Sequence, residues 1–276
     1  LRDIGKKFNM AELTGRDFFK ARIKAGGGLS FAEFSYTLLQ GYDFWHLHKN
    51  HGVNLQIGGS DQWGNLLSGV ELKRKKESAE VYAMTCPLVI NKSTGRKFGK
   101  SEGGAVWLDP AKTSPYKFYQ FWLNSDDQSA IDYLKLFTLL GREQIEQIES
   151  DHQANLSARL AQKILALEVT KLVHGEDIAK NVVKATEVLF GNADIAGSND
   201  SEIEILSNEI PTIEFSNRKS ISDALIETKL AKSRGEARRL ITSNAVSVNT
   251  QKIAEDQPVQ AKSLIKKGKN SFILVK

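Results

Sequence analysis

The feature that most constrains this chain is a strand–turn–helix–strand pattern over residues 53–90. Val53-Asn54-Leu55-Gln56-Ile57 reads as a short strand that ends at Gly58-Gly59. A helical pattern follows from about Trp63 to Lys76, and residues 82–90 read as a second strand. Two strands joined through a helix run parallel, because a crossover of this length replaces the tight hairpin of an antiparallel pair. The expectation is part of a parallel α/β sheet. In such sheets ligands bind beyond the carboxyl ends of the strands, and Gly58-Gly59 lies at such an end. Upstream, Ser30 is a good N-cap and Glu33 completes a capping box, so a helix is expected from there to about His48.

Three groups of residues around this unit carry chemistry. In the turn, two glycines let backbone N–H groups come close to a ligand. Asp61 can accept from ribose hydroxyls, and Gln62 offers both a donor and an acceptor. The same residues also suit a plain strand-to-helix turn with Asp61 as N-cap. On the preceding helix, Tyr36, Gln40 and Asp43 fall at i, i+4 and i+7 and so share one face. Leu38, Leu39 and Phe44 on that helix point to a packed setting, where a polar stripe needs partners; a solvated helix face has the same spacing. Finally, the turn-rich residues 91–96 lead into Lys97-Phe98-Gly99-Lys100-Ser101, two cations and a hydroxyl on a glycine-containing loop. Taken alone, such a loop is ordinary solvated surface.

The rest of the chain changes character. From 106 to about 195, Phe118, Phe121, Trp122, Ile131, Leu134, Phe137 and Leu140 recur at helical steps, as do Leu156, Leu160, Ile164, Leu167 and Leu172. His174-Gly175-Glu176 reads as one helix ending and another starting. Residues 201–216 read as a polar linker. The last segment opens with two short helical patterns, with Ser233 and Glu236 forming a second capping box, and closes with β-rich stretches. Residues 217–276 hold 13 Lys and Arg against 5 Asp and Glu, leaving 25 against 28 for the remainder of a chain whose net charge is +5. The whole excess of positive charge therefore sits in the last sixty residues, which suggests a polyanion partner there. Lys232, Arg234, Arg238 and Arg239 gather at the turn and on the helix beyond it.

Other features narrow the function classes. No apolar run approaches the ~20 residues that span a membrane. The lone Cys86 precedes Pro87 in an apolar run and reads as a buried structural thiol; one cysteine cannot form an internal disulfide, which fits a reducing compartment. His46, His48 and His51 lack the accompanying ligands of a metal site, and no dedicated metal ligands are expected. The start, Leu1-Arg2-Asp3-Ile4-Gly5, has no signal-peptide shape and reads as a cut into a longer protein.

The string Leu55-Gln56-Ile57-Gly58-Gly59-Ser60-Asp61-Gln62-Trp63-Gly64-Asn65 resembles the nucleotide turn of bacterial-type tyrosyl-tRNA synthetases. The Lys97–Ser101 loop resembles the second signature of class I aminoacyl-tRNA synthetases, and its continuation through Thr113-Ser114-Pro115-Tyr116 and Trp122 follows the same family. The segment around Ser233-Arg234-Gly235-Glu236 resembles the small RNA-binding domain named after ribosomal protein S-four. The resemblance covers nearly the whole chain. It implies a partial Rossmann-like α/β unit (1–105), a helical anticodon-binding domain (106–200), the linker, and a small α+β RNA-binding domain (217–276).

It also implies roles. Tyr36 and Gln40 would hold the amino group of tyrosine, Asp43 its phenol, and Gln62 would lie near its carboxylate. Such a site rejects phenylalanine because its own polar groups would be left unpaired, a rule for which these synthetases are themselves the standard illustration. Gln56, Gly58, Gly59, Asp61 and Lys100 would bind ATP, accompanied by Mg2+. Lys97, Lys100 and Ser101 would stabilise phosphate charge in the transition state, and Lys232, Arg234, Arg238 and Arg239 would contact RNA. The implied partners are tRNA(Tyr), L-tyrosine and a second copy of the chain, in the cytoplasm or an organellar matrix. The family's first signature, a His-x-Gly-His-like element in an N-terminal half-sheet, is absent from this sequence. A fragment of the catalytic domain, inactive alone, is therefore expected, with a non-catalytic RNA-binding protein on the same scaffold as the alternative. A tryptophanyl relative would share the turn and the loop but not the Tyr36 face or the basic C-terminal segment.

Overall fold

In the computed structural model of the protein all residues are described except 1, 25, 27–29, 96, 97, 99–105, 192, 217 and 218, and the side chains of 17, 18, 21 and 22. The chain divides into two compact units, Leu1–Ser101 and Glu102–Lys276.

The first unit contains helices α1 (Met10–Thr14), α2 (Asp17–Lys24) and α3 (Phe31–His51), strand β1 (Leu55–Gly59), helix α4 (Trp63–Glu77) and strand β2 (Tyr82–Cys86). The expected capping box holds: Glu33 N donates to Ser30 Oγ at 3.1 Å and Ser30 N donates to Glu33 Oε2 at 3.0 Å. Helix α3 runs to His51, three residues past the expected end, and stops at Gly52, whose φ of 69° is the left-handed geometry of a C-cap. β1 and β2 pair in parallel from Leu55 opposite Tyr82 to Gly59 opposite Cys86. The two glycines thus belong to the strand rather than following it. β2 stops at Cys86 instead of reaching Ile90, because Pro87 has no N–H to continue the ladder. Cys86 is exposed, not buried, since it sits on the sheet face with Leu55, Ile57, Tyr82 and Met84, all of which are exposed.

Helices α3 and α4 pack with their backbones close together. A Cβ on Gly41 would meet Ser68 Cβ at 3.2 Å, and a Cβ on Gly69 would meet Phe44 Cδ1 at 2.6 Å. Phe44, Leu38, Leu66 and Leu72 are buried, whereas Leu39, expected in the packed face, is 63% exposed. At the far end of the pair, Trp45 Nε1 donates to Glu77 Oε1 at 2.8 Å and Lys76 Nζ lies 3.9 Å from the Trp45 ring centre. Glu77 is also paired with the buried Lys73. That hydrogen bond, followed by the one from Trp45, holds the Glu77 carboxyl below its usual pKa.

The second unit opens with α5 (Pro115–Leu123), α6 (Asp127–Phe137), α7 (Arg142–Ala154), α8 (Leu160–His174) and α9 (Glu176–Phe190). Phe118, Trp122, Ile131 and Leu134 are buried as their spacing predicts. On α8 the buried stripe is Ala161, Leu165, Ala166 and Val169, while Leu172 on α8 and Leu156 before it are half-exposed. The leucine periodicity picked the neighbouring face, because close helix packing here uses alanine. Gly175, at φ 93°, separates α8 from α9, as the sequence predicts.

Residues 201–216, expected as a linker, are folded. They contain most of α10 (Asp200–Glu209), which packs on α9, and β3 (Thr212–Ile213). The remaining elements are α11 (Ile221–Glu227), α12 (Arg234–Thr242), β4 (Val246–Val248), β5 (Gln251–Lys252), β6 (Ser263–Lys267) and β7 (Ser271–Val275). The sheet order is β3-β7-β6-β4-β5, with β3 parallel to β7. β4 and β5 form a hairpin whose turn residues, Asn249 and Thr250, both have positive φ, the geometry that suits the strand twist. Ile221, Leu225, Ala237, Ile241, Val246, Ile265 and Ile273 form the core between helices and sheet.

Two outcomes follow from this packing. Gly69→Ala should cost roughly 1–3 kcal/mol of stability, because the methyl group has no room beside Phe44; chemical denaturation followed at Trp45 would measure it. Burial pushes the Tyr116 and Tyr119 phenols from 10.0 up to about 12. A raised folded-state pKa gives stability that is complete below the unfolded value and is lost as pH rises through the folded one. The helical region should therefore lose stability between pH 10 and about 12, and Tyr119→Phe should reduce that slope in denaturation midpoints measured across the range.

Candidate active site

At the carboxyl end of β1 the chain makes one 3-10 turn, Ser60–Gln62, before α4 begins. Neither glycine of this turn has positive φ; what each lacks is room for a Cβ. On Gly58 it would lie 3.1 Å from Gln62 Cβ, and on Gly59 it would lie 2.8 Å from Asp61 Oδ1 and 3.0 Å from Leu88. The glycines are there so that the Gln62 and Asp61 side chains can fold back over the strand end. Asp61 is not the α4 N-cap: that position is Gln62, which makes no capping hydrogen bond.

A cavity of about 600 Å³ opens beside this turn, walled by Tyr36 and Thr37 of α3, by Asp61, Gln62 and Asn65, and by Arg16 and Phe19. It brings together Tyr36, Asp61 and Gln62 from the expected set. Gln40 and Asp43 lie further along α3, half-buried and exposed respectively, and do not wall it. Gln56 lies on β1 with its Oε1 buried and, among the described residues, without a hydrogen-bond partner. Lys97, Lys100 and Ser101 fall outside the described residues. Their neighbour Phe98 is described, and its N–H donates to Val89 O at 2.9 Å.

Three wall residues carry polar contacts that the sequence did not announce. The Arg16 guanidinium donates to Gly64 O and to Ser68 Oγ, the latter at 2.6 Å, and pairs with Glu71 at 3.2 Å. It ties the α1–α2 corner to the first turns of α4. Thr37 Oγ1 donates to Asn65 Oδ1 at 2.9 Å, and Asn65 Nδ2 donates to Gln62 Oε1 at 3.2 Å. Arg16 had no local signal at all. Asn65 lay inside the quoted turn string, and Thr37 lies next to Tyr36 on the same helix, but neither had a stated role. Among the described residues no cluster of three or more His, Cys, Asp or Glu is placed to hold a metal ion.

Residues 1–191 match the family described as tRNA synthetases class I (W and Y), and residues 202–276 match the one described as Tyrosine--tRNA ligase SYY-like C-terminal domain. A tyrosine–tRNA ligase of Pectobacterium carotovorum is 44% identical over 284 residues, covering all of this chain and 67% of that protein. The chain belongs to the tyrosyl-tRNA synthetase family. A Cronobacter sakazakii tyrosine–tRNA ligase is 45% identical, with 66% of its length covered. Among solved structures, a C-terminally truncated mitochondrial tyrosyl-tRNA synthetase of Coccidioides posadasii matches with a TM-score of 0.52 and 33% identity, over 66% of this chain and 52% of that one. This synthetase-family chain therefore spans about two thirds of the curated relatives it matches and about half of the solved one.

In the C-terminal part of the synthetase-family chain, Lys232, Arg234, Arg238 and Arg239 are all exposed on or beside α12. Arg234 is shared with Asp223 at 3.4 Å. The backbone and hydroxyl of Ser220 hold the Asp223 carboxyl below its usual pKa, with Arg234 contributing less. The second capping box is only half formed. Glu236 N donates to Ser233 Oγ at 3.2 Å, but the Glu236 carboxylate accepts from Lys232 N at 2.8 Å instead of from Ser233.

The two turn glycines give an outcome that needs no ligand. Gly58→Ala should destabilise the first unit by roughly 1–3 kcal/mol, because Gln62 Cβ is fixed to the backbone, and Gly59→Ala by less, because Asp61 Oδ1 and Leu88 Cδ2 are side-chain ends that can turn aside. Parallel denaturation curves of the two variants test that order.

Proposed function

We propose that the protein to which this chain belongs is a tyrosine–tRNA ligase. The observation that carries the reading is the cavity at the end of β1, where Tyr36 from one helix and Asp61 and Gln62 from the strand-end turn share one space. In the first step the tyrosine carboxylate attacks the α-phosphate of ATP, giving tyrosyl-adenylate and pyrophosphate. In the second, a hydroxyl of the tRNA 3′-terminal ribose attacks the acyl carbon and AMP leaves.

The proposed roles follow the chemistry of each side chain. Tyr36 and Gln40 receive the ammonium group of tyrosine, and Asp43 accepts from its phenol. Gln62 faces the carboxylate. Asp61 accepts from ribose hydroxyls, and Gly58 and Gly59 leave the strand end open to the nucleotide. The unpartnered Gln56 Oε1 supports a hydrogen-bond donor from adenosine, since a buried carbonyl oxygen left unpaired is costly. Lys97, Lys100 and Ser101 stabilise charge on the leaving phosphates, where cations act most strongly in the transition state. Mg2+ enters with ATP as part of the substrate.

The helical region 106–200 is proposed as the anticodon-binding domain. Lys232, Arg234, Arg238 and Arg239 are proposed to contact tRNA(Tyr) phosphates through a salt-sensitive interaction. The exposed basic face of α12 supports this role. A homodimer acting in the cytoplasm, or in an organellar matrix, completes the proposal. No described helix is long and apolar enough to cross a membrane.

The experiment is tyrosine-dependent ATP–pyrophosphate exchange on this chain and on the full-length gene product. Exchange by the full-length protein, abolished or reduced at least about a hundredfold by Lys100→Ala, is the expected result. No exchange in either, with tRNA binding retained, would leave an RNA-binding protein on a synthetase scaffold.

A further inference from the structure

The Gln62 amide is held in one orientation by a directional chain of hydrogen bonds. Thr37 is 2% exposed and sits inside α3. A helical threonine often returns its hydroxyl proton to the carbonyl one turn back; here the proton goes across to Asn65 Oδ1 at 2.9 Å on α4. That contact turns the Asn65 amide so that its Nδ2 faces Gln62 and donates to Gln62 Oε1 at 3.2 Å. Gln62 has one oxygen and one NH2 group. With the oxygen occupied from behind, the NH2 remains for the cavity that all three residues wall. The side chain makes no other hydrogen bond among the described residues.

An amide that presents NH2 attracts a carboxylate; the same amide reversed presents a carbonyl oxygen and repels it. Asn65 and Thr37, placed behind the amide, thereby decide which end Gln62 offers. We propose that Asn65, oriented by the buried Thr37 hydroxyl, is a positioning residue. It locks Gln62 with its NH2 group toward the substrate carboxylate. This inference rests on the reading of the cavity as the tyrosine site. The consequence is selective: Asn65 and Thr37 govern recognition of the carboxylate and leave recognition of the ammonium and the phenol to other residues.

The test uses the full-length gene product with Asn65→Asp, Thr37→Val and Thr37→Ser. An aspartate at this position can only accept, so it would draw the Gln62 NH2 inward and turn its oxygen to the cavity. Valine removes the orienting proton, and serine keeps it. The readouts are KM for tyrosine and for ATP in pyrophosphate exchange, and inhibition by tyrosinol, which has the ammonium and phenol but no carboxylate. Asn65→Asp and Thr37→Val should raise KM for tyrosine by about tenfold or more, the scale of one lost charge-assisted hydrogen bond. KM for ATP and tyrosinol inhibition should stay unchanged, and Thr37→Ser should behave as wild type. Equal weakening of tyrosine and tyrosinol would overturn the proposal, because it would show that Asn65 and Thr37 merely hold the helices together. Unchanged tyrosine KM in both variants would also overturn it. An inactive wild type would remove the functional reading and this inference together, so the two failures are distinguishable.

Discussion

The close approach of α3 and α4 is the contact on which the candidate site depends. Gly41 against Ser68, and Gly69 against Phe44, leave no space for even one added carbon. Because the backbones touch, Thr37 on one helix comes within hydrogen-bond distance of Asn65 on the other. Both helices then wall the same cavity. Reaching Gly64 O, Ser68 and Glu71, Arg16 reinforces the arrangement by binding the first three turns of α4. A wider helix spacing would break the Thr37–Asn65 bond and release the Gln62 amide. The packing and the chemistry are therefore one constraint, imposed by two glycines that are not at turns.

Charge is organised differently in the two units. In the first, cations serve the fold: Arg16 ties helices beside the cavity, and at the far end of α4 Lys73 and Lys76 surround Trp45 and Glu77. In the C-terminal segment, part of the positive excess is also structural. Lys267 Nζ donates to Leu230 O, Lys266 Nζ lies 5.2 Å from the Phe272 ring centre, and Arg234 pairs with Asp223. A count of charges overstates what a polyanion could meet. The exposed Lys232, Arg238 and Arg239 around α12 are the part of that excess best placed to face one.

Much of the fold was legible locally. The βαβ order, the Ser30–Glu33 cap, the helix break at Gly175 and the β-rich C-terminal stretches all rest on signals within a few residues, and all are present. The misses share a physical origin. Strand β2 was drawn too long because apolar character continued past a proline that ends pairing. The α8 face was misread because leucines are conspicuous and alanines are not, although Ala161 and Ala166 are fully buried. The 201–216 stretch looked like a linker because it is polar, yet it supplies α10 and a strand that pairs with β7.

The sequence by itself determined the candidate residues and their neighbourhood. Side-chain type and helical spacing named Tyr36, Asp61 and Gln62, and the glycine pair marked the strand end. Only the tertiary structure decided which of them meet. It gathered these three around one cavity and left Gln40 and Asp43 further along α3. It also added Arg16, Thr37 and Asn65, whose contacts between separate helices span 28 to 55 residues of chain. The physical reason is the range of the forces involved. Caps and turns are settled by neighbours a few residues apart. The orientation of a half-buried amide is settled by whichever helix packs against it, and no local pattern encodes that distance.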